Sequence, residues 1–377
     1  MSYLGLTAAA TAFVAAWLLV YILLRRRSVK GLTLYPFLLI YRLGYARGPL
    51  PPGAKAKLAK VYGVASLAAA AFAMAYFYFV SGTLFLQRYV VGSSQAAQEG
   101  FVPIIPGVTV SLGEFMFILI AIGVAVVVHE LSHAVVSRAL GVPVKDAGFL
   151  LMAFVPAAFV EPEEGLLKSA PLRSRVMIYA AGIASNVALG FLFGYALAAV
   201  TPLLASGMTI ASVSPNSPAY AAGLAPGMKI AAIDGIPVRT LTQGLQVLKS
   251  VGAENNATAV NVTLTVLYRG VERSIVVFKP VGVSHLGIEV TPVYKMGWLV
   301  ELITALYVVN MGLALINAAP FAFPLPGFGI ESDGGQMLRD ALTGLAGKAG
   351  RDASAAVELA TLLLILSLIT LAPVRLP

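Results

Sequence analysis

The chain has 377 residues, 59% of them hydrophobic and only 11% charged, and a mean hydropathy of +0.86, which excludes a soluble globular protein and implies a polytopic membrane protein. Cysteine is absent, so disulfides, thiolate metal sites and a cysteine nucleophile are excluded and any metal must be held by His, Asp or Glu. The net charge of +9 does not point to nucleic acid, because the basic residues cluster beside apolar runs, as positive-inside bias produces.

Leu4–Leu24 is the first predicted span, ended by Arg25-Arg26-Arg27. The charges follow the apolar run instead of preceding it, which favours an uncleaved anchor over a cleaved signal peptide. From Arg25 to Lys60 there are nine Lys or Arg residues and no acid, so this loop is expected on the cytoplasmic side. Within it, Leu32–Tyr45 is apolar but holds Pro36 and Arg42, and reads as an interfacial or re-entrant piece instead of a full span. Val61–Phe85 is the second span. Gln87–Leu112, sparse in charge and containing Pro103 and Pro106, suits an external loop, and Ser111 with Glu114 suits a helix start.

The third span, Ile118–Leu140, carries His129-Glu130-Leu131-Ser132-His133 inside its apolar run. Helical residues four apart lie about 40° apart around the axis, so His129 and His133 share a face and can hold one metal ion, with Glu130 beside them as a candidate base. This is the HExxH arrangement of zinc metalloproteases. Ionisable groups at bilayer depth are costly and are functional candidates by default. The competing reading is a pair of buried histidines satisfied by hydrogen bonds. Two of the three histidines in the chain flank this glutamate, which favours the metal. The span exits at Arg138 toward the cytoplasmic side, which places the motif in the cytoplasmic half of the membrane.

Gly148–Val160 is apolar but too short to span, and reads either as a segment dipping into the bilayer or as a buried connector. Glu161-Pro162-Glu163-Glu164 reads as a solvated turn. Val176–Leu203 is the fourth span. It contains Gly182-Ile183-Ala184-Ser185-Asn186, where small residues permit close helix approach; Asn186, taken alone, reads as a helix–helix hydrogen bond. Ser206–Val293 then changes character, with predicted strands at Thr209–Val213, Lys229–Ile233, Val260–Tyr268 and Ser274–Phe278 between Gly and Pro turns. This is a soluble domain that the topology places outside. The sequons Asn256-Ala257-Thr258 and Asn261-Val262-Thr263 are compatible with that side. Gly297–Ala319 is the fifth span and Val357–Ala372 the sixth, with Arg339, Lys348 and Arg351 marking an internal loop between them. The expected fold is thus a polytopic α-helical membrane protein of about six spans with an inserted α+β domain. Its expected regions are 1–112, a catalytic membrane core in two parts (113–203 and 295–377), and the inserted domain 204–294.

Taken together, His129-Glu130-x-x-His133, Gly182…Asn186 in the following span, the external domain, and Asn317-x-x-Pro320…Asp333-Gly334-Gly335 form an ordered set that resembles the site-2 protease family of intramembrane zinc metalloproteases. Ser217-Pro218-Ala219, Ala222-Gly223-Leu224-Ala225-Pro226-Gly227 and Ile233-Asp234-Gly235 resemble the turns of a PDZ domain, with Met228 where an Asp commonly follows the glycine. The resemblance implies Zn2+ held by His129, His133 and Asp333, with Glu130 catalytic. It also implies that Asn186 positions substrate or polarises its carbonyl, and it carries Asn317 as a further substrate-binding position. The implied partners are a transmembrane-helix protein substrate, a peptide or substrate segment at the PDZ-like domain, and membrane lipid. The implied location is a multi-pass membrane protein, expected in a prokaryotic cell membrane. One departure stands out: FAFPLPGFGIES lengthens the interval between Asn317 and Asp333, and either loops out to return Asp333 to the site or displaces it in favour of Glu331 or Asp146. Two other functions remain open at this point, a membrane zinc-binding or transport protein and a catalytically inactive PDZ-bearing scaffold.

Overall fold

A computed structural model describes residues 3–25, 29–35, 37–93, 99–325 and 328–370. Arg26, Arg27, Pro36, the Pro326-Gly327 pair of the insertion and the end of the sixth predicted span at 371–372 lie outside the described residues. The chain divides into two compact units, Met1–Phe193 with Ala305–Leu376, and Gly194–Thr304.

The first unit begins with α1 (Tyr3–Arg25), β1 (Leu32–Tyr35) and β2 (Leu38–Arg42). It continues with α2 (Ala54–Phe85), prolonged by a π-helical stretch Leu86–Val91, then α3 (Leu112–Ala139), β3 (Val144–Met152), β4 (Val155–Pro162), α4 (Glu164–Ser169) and α5 (Leu172–Leu204). The small residues Ala56, Ala59, Gly63, Ser66, Ala70 and Ala73 recur every three or four positions along α2 and form its buried face. At Gly63 an added Cβ would stand 3.0 Å from Met177 Cε and 3.1 Å from Val136 Cγ1, so glycine sets how closely α2 approaches α3 and α5. Helix α3 starts as the sequence predicts: Ser111 Oγ accepts the Glu114 amide at 3.2 Å, and the Glu114 carboxylate accepts the Ser111 amide at 2.9 Å. Its exposed stripe runs Leu112, Met116, Ile120, Val124, Val127, Leu131 and Val135, the pattern of a helix face turned to lipid. His129 and His133 lie among its buried residues.

The two apolar segments 32–45 and 148–160, expected as an interfacial or re-entrant piece and as a dipping segment or buried connector, take strand form. Each supplies a β-hairpin, and the two join edge to edge in an antiparallel sheet of order β1-β2-β3-β4. Ile40 pairs with Leu150 and Phe149 with Ala158, which satisfies backbone groups that lipid could not. At Gly148 a side chain would strike the Tyr41 carbonyl and the Phe159 ring, so glycine is required where β2 and β4 flank β3. Arg42 fixes the outer end by pairing with Glu161 at 2.7 Å.

The second unit holds β5 (Ala205–Val213), α6 (Pro218–Ala221), β6 (Lys229–Ile233), β7 (Ile236–Pro237), α7 (Leu241–Ser250), β8 (Val260–Tyr268), β9 (Val271–Lys279) and β10 (Ile288–Tyr294). Its sheet has the order β10-β5-β6-β8-β9, with β7 paired to β6. The predicted strands Lys229–Ile233 and Val260–Tyr268 coincide with β6 and β8, and the other two lie inside β5 and β9. Between β6 and β7, Asp234 and Gly235 both take positive φ, 48° and 77°, which suits a primed two-residue turn. Alternating residues such as Ile230, Ile233, Val262, Leu264 and Val266 fill one apolar core.

The chain then returns to the first unit with α8 (Gly297–Ala318), β11 (Ala322–Leu325), β12 (Phe328–Glu331) and α9 (Asp333–Ser367), which bends at Ala346 and Gly347. Among the described residues, four helical segments are long and apolar enough to cross a membrane: Ala54–Val91, Leu112–Ala139, Leu172–Leu204 and Gly297–Ala318. The first predicted span coincides with α1, whose described apolar part, Phe13–Arg25, is shorter. The sixth begins in the last part of α9 and contains Glu358.

Candidate metal centre

On α3 the imidazoles of His129 and His133 face each other with their Nε2 atoms 3.0 Å apart. Asp333, the first residue of α9, brings Oδ2 to 3.1 Å from His129 Nε2 and 3.4 Å from His133 Nε2. Among the described residues this is the one group of three or more His, Asp or Glu side chains able to hold a metal ion. His133 Nδ1 donates to the Ile178 carbonyl of α5 at 2.7 Å, and because a carbonyl can only accept, Nε2 is left with its lone pair turned into the cluster.

The residues fit a zinc ion on three grounds. Two ring nitrogens and a carboxylate oxygen converge, with Asp333 Oδ2 buried and without a hydrogen-bond partner, an arrangement that is costly unless a cation lies between them. Donors sharing one zinc at bonds of about 2.0–2.2 Å stand roughly 3 to 3.5 Å apart, as these do. Finally, a Cβ at Gly182 would collide with Nε2 of both histidines, so α5 keeps this position open with a residue that has no side chain. The sequence suggested helix packing for Gly182; the structure shows in addition that it clears the face of the cluster.

The insertion before Asp333 is resolved as the β11–β12 hairpin, paired from Ala322 with Glu331 to Leu325 with Phe328. Ser332 closes its base. Its Oγ donates to the Ala319 carbonyl at 2.6 Å and accepts the amides of Phe321 at 3.1 Å and Gly335 at 3.0 Å, the last capping α9. Gly334 is pressed against the Ala318 carbonyl, where no Cβ fits. The extra residues thus loop out and Asp333 returns to the histidines. The competing carboxylates are engaged elsewhere: Glu331 pairs with Arg339 at 2.6 Å, and Asp146 accepts the amides of Tyr45 and Ala147 at 3.0 and 2.8 Å. Despite some desolvation, those two amides and Arg42 hold the Asp146 carboxyl below its ordinary range.

Glu130, next to the first ligand, accepts the Val160 amide of β4 at 2.9 Å. The sheet thereby orients the candidate base, a contact that the sequence did not reveal. Asn186 lies one helical turn beyond Gly182, is fully buried, and neither its amide nitrogen nor its oxygen has a hydrogen-bond partner. The helix–helix hydrogen bond considered for it is not made. Asn317, at the end of α8, is half-buried, and no hydrogen bond ties it to the cluster. In the second unit a separate cavity of about 580 Å³ lies between α7 and β10, lined by Leu245, Leu248, Ala253, Leu286 and Glu289 among others.

Two histidines and an aspartate able to hold a metal, with an adjoining glutamate and set among apolar membrane-length helices, form the kind of arrangement found in membrane metallopeptidases. The comparison with known families gives the same answer: the chain belongs to Peptidase family M50, the site-2 protease family of zinc metalloproteases, whose model matches residues 117–368. It is 29% identical over 160 residues to a membrane-bound transcription factor site-2 protease homolog of Arabidopsis thaliana, covering 41% of this chain and 31% of that protein. It is 27% identical over 236 residues to an uncharacterized protein of Methanocaldococcus jannaschii, covering 62% of this chain and 61% of that one. The chain thus matches about a third of the first relative's length and under two thirds of the second's.

Proposed function

We propose that this protein is an intramembrane zinc metalloprotease, which hydrolyses peptide bonds within or near transmembrane segments of membrane-protein substrates. The observation that carries the reading is the convergence of His129, His133 and Asp333 beside Glu130 on a helix whose other face is an apolar stripe. Those three residues would hold the zinc, which when bound supplies a Lewis acid and lowers the pKa of a coordinated water to about 7. Glu130 takes the proton of the attacking water and returns it to the leaving amine. Val160, through its amide, keeps the Glu130 carboxylate aimed at the site. Asn186 offers an unspent amide to a substrate carbonyl, which is the reading its missing partners support. A helical substrate hides its carbonyls in hydrogen bonds, so the segment must unwind locally before cleavage.

The same reading makes α1 and the end of α9 the first and sixth spans and sets the metal centre toward the cytoplasm, supported by the basic loop between Arg25 and Lys60. It makes residues 204–294 an extracytoplasmic PDZ-like domain whose cavity beside edge strand β10 receives an extended peptide. The test is zinc content of the detergent-purified protein and of Asp333→Ala, with cleavage of a tagged single-span substrate in parallel. One zinc per chain in the wild type, lost from the variant together with cleavage, is the expected result. A wild type that holds no zinc after reconstitution overturns the reading.

A further inference from the structure

The last predicted span carries one carboxylate, Glu358, within the run VELATLLLILS. It is only 5% exposed. A carboxylate at that depth is costly unless it is paired, and such residues mark function more often than stability. Its partner is Arg339, whose Nη2 lies 2.8 Å from Glu358 Oε2. The same guanidinium reaches Glu331 with Nη1, 2.6 Å from Oε1. Arg339 therefore ties three points together: the end of β12 two residues before Asp333, the first stretch of α9 that Asp333 opens, and the far stretch of α9 beyond its bend at Ala346 and Gly347. Beside it, Arg175 of α5 holds Asp340 at 2.7 Å, three residues from the Ile178 carbonyl that orients His133.

Two carboxylates on one guanidinium are a poor way to add stability, since well-packed apolar groups of the same volume usually do as well or better. They are a good way to fix a geometry, because the planar fork of arginine accepts only a narrow range of partner positions. Asp333 needs that help. It follows the base of a hairpin insertion, and among the described residues its Oδ2 has no hydrogen-bond partner to orient it.

We propose that Arg339 is a positioning residue for the third metal ligand, and that Glu358 clamps it from the last helix so that the seat of Asp333 depends on that helix staying docked. The inference rests on the zinc reading above. It is tested on the full-length protein in detergent by the rate at which a chelator withdraws zinc, with kcat and KM on the single-span substrate measured alongside. Glu358→Gln and Arg339→Met are each expected to lose zinc about 10-fold faster than the wild type, the low end for groups around a metal site because neither touches a ligand, with kcat lowered and KM held. Arg339→Lys should fall between, because a point charge cannot bridge both carboxylates. The double variant should be no worse than Arg339→Met alone. Lys168→Ala, which breaks only an exposed pair with Glu164, should release zinc as the wild type does. Glu358→Gln, nearly isosteric, keeps the test decisive if Arg339→Met fails to fold. Wild-type zinc release in both Glu358→Gln and a folded Arg339→Met overturns the proposal. A zinc-free wild type overturns the protease reading with it, so the two failures are distinguishable.

Discussion

The two units of this protein bury different things. The core of Gly194–Thr304 is made of branched side chains, Ile210, Ile230, Ile233, Leu264 and Val277 among them. Its one fully buried charge, Lys279, gives its three protons to the carbonyls of Asn255, Thr258 and Val283. The core of the other unit mixes small residues, Ala70, Ala73, Ala121, Ala125, Ala180 and Ala181, with larger ones such as Phe77, Ile178 and Ile183. It leaves His129 Nδ1, Asn186 and Asp333 Oδ2 buried without hydrogen-bond partners. In the first case the buried charge is fully hydrogen-bonded, and among the described residues only Thr304 Oγ1, at the end of the unit, is buried without a partner. In the second, His129 Nδ1, Asn186 and Asp333 Oδ2 belong to the candidate site, where a ligand and a substrate would complete them, while Ser81, Asn310 and Thr343 also carry partnerless atoms and are no part of it. The contrast separates residues that hold a fold from residues held by it.

The largest effect should come from filling the space between them. Gly182→Val puts a side chain against both histidine Nε2 atoms and is expected to abolish zinc binding and cleavage together, while circular dichroism shows the helices intact. A variant that keeps one zinc per chain would break the contrast at its centre. Glu130→Gln should lower kcat by about 10²- to 10⁴-fold with zinc content unchanged, since the residue adjoins the ligands without being one. Loss of zinc in that variant would make Glu130 a ligand instead.

Asn186→Ala should slow cleavage on the order of 10²-fold. It should not lower the unfolding temperature, because the amide it removes has no partners to lose. A clear drop in stability would mean that Asn186 is structural after all. Leu264→Ala tests the other side of the comparison: it should cost about 2–5 kcal/mol in that unit's unfolding and leave zinc stoichiometry untouched. Among single changes this is the smallest expected effect on the chemistry.

Much of this was legible before any coordinates. The helix bearing His129 and His133, its Ser111–Glu114 start and two strands of the second unit follow from period, caps and turns. The four-stranded sheet was not legible, because LTLYPFLLIYR and GFLLMAFVPAAFV are continuous apolar runs without the alternation that identifies a strand, their exposed residues Tyr35, Tyr41, Phe149 and Met152 being apolar or aromatic too. Hence the contact from Val160 to Glu130 was invisible, since it runs through a backbone amide. The insertion before Asp333 read as a departure from the family pattern because local sequence does not say whether a loop returns. Glu358 was the signal passed over: a lone carboxylate in an apolar helix asks for a partner, and Arg339, nineteen residues earlier, is that partner.

The most direct test of the account is where zinc binds in the reconstituted wild-type protein, read from anomalous scattering at the zinc edge in a crystal. The account predicts one ion held by Nε2 of His129, Nε2 of His133 and the carboxylate of Asp333, with Gly182 facing it. An ion held by Glu331 or Asp146 in place of Asp333, or no ion on the histidines, would contradict it.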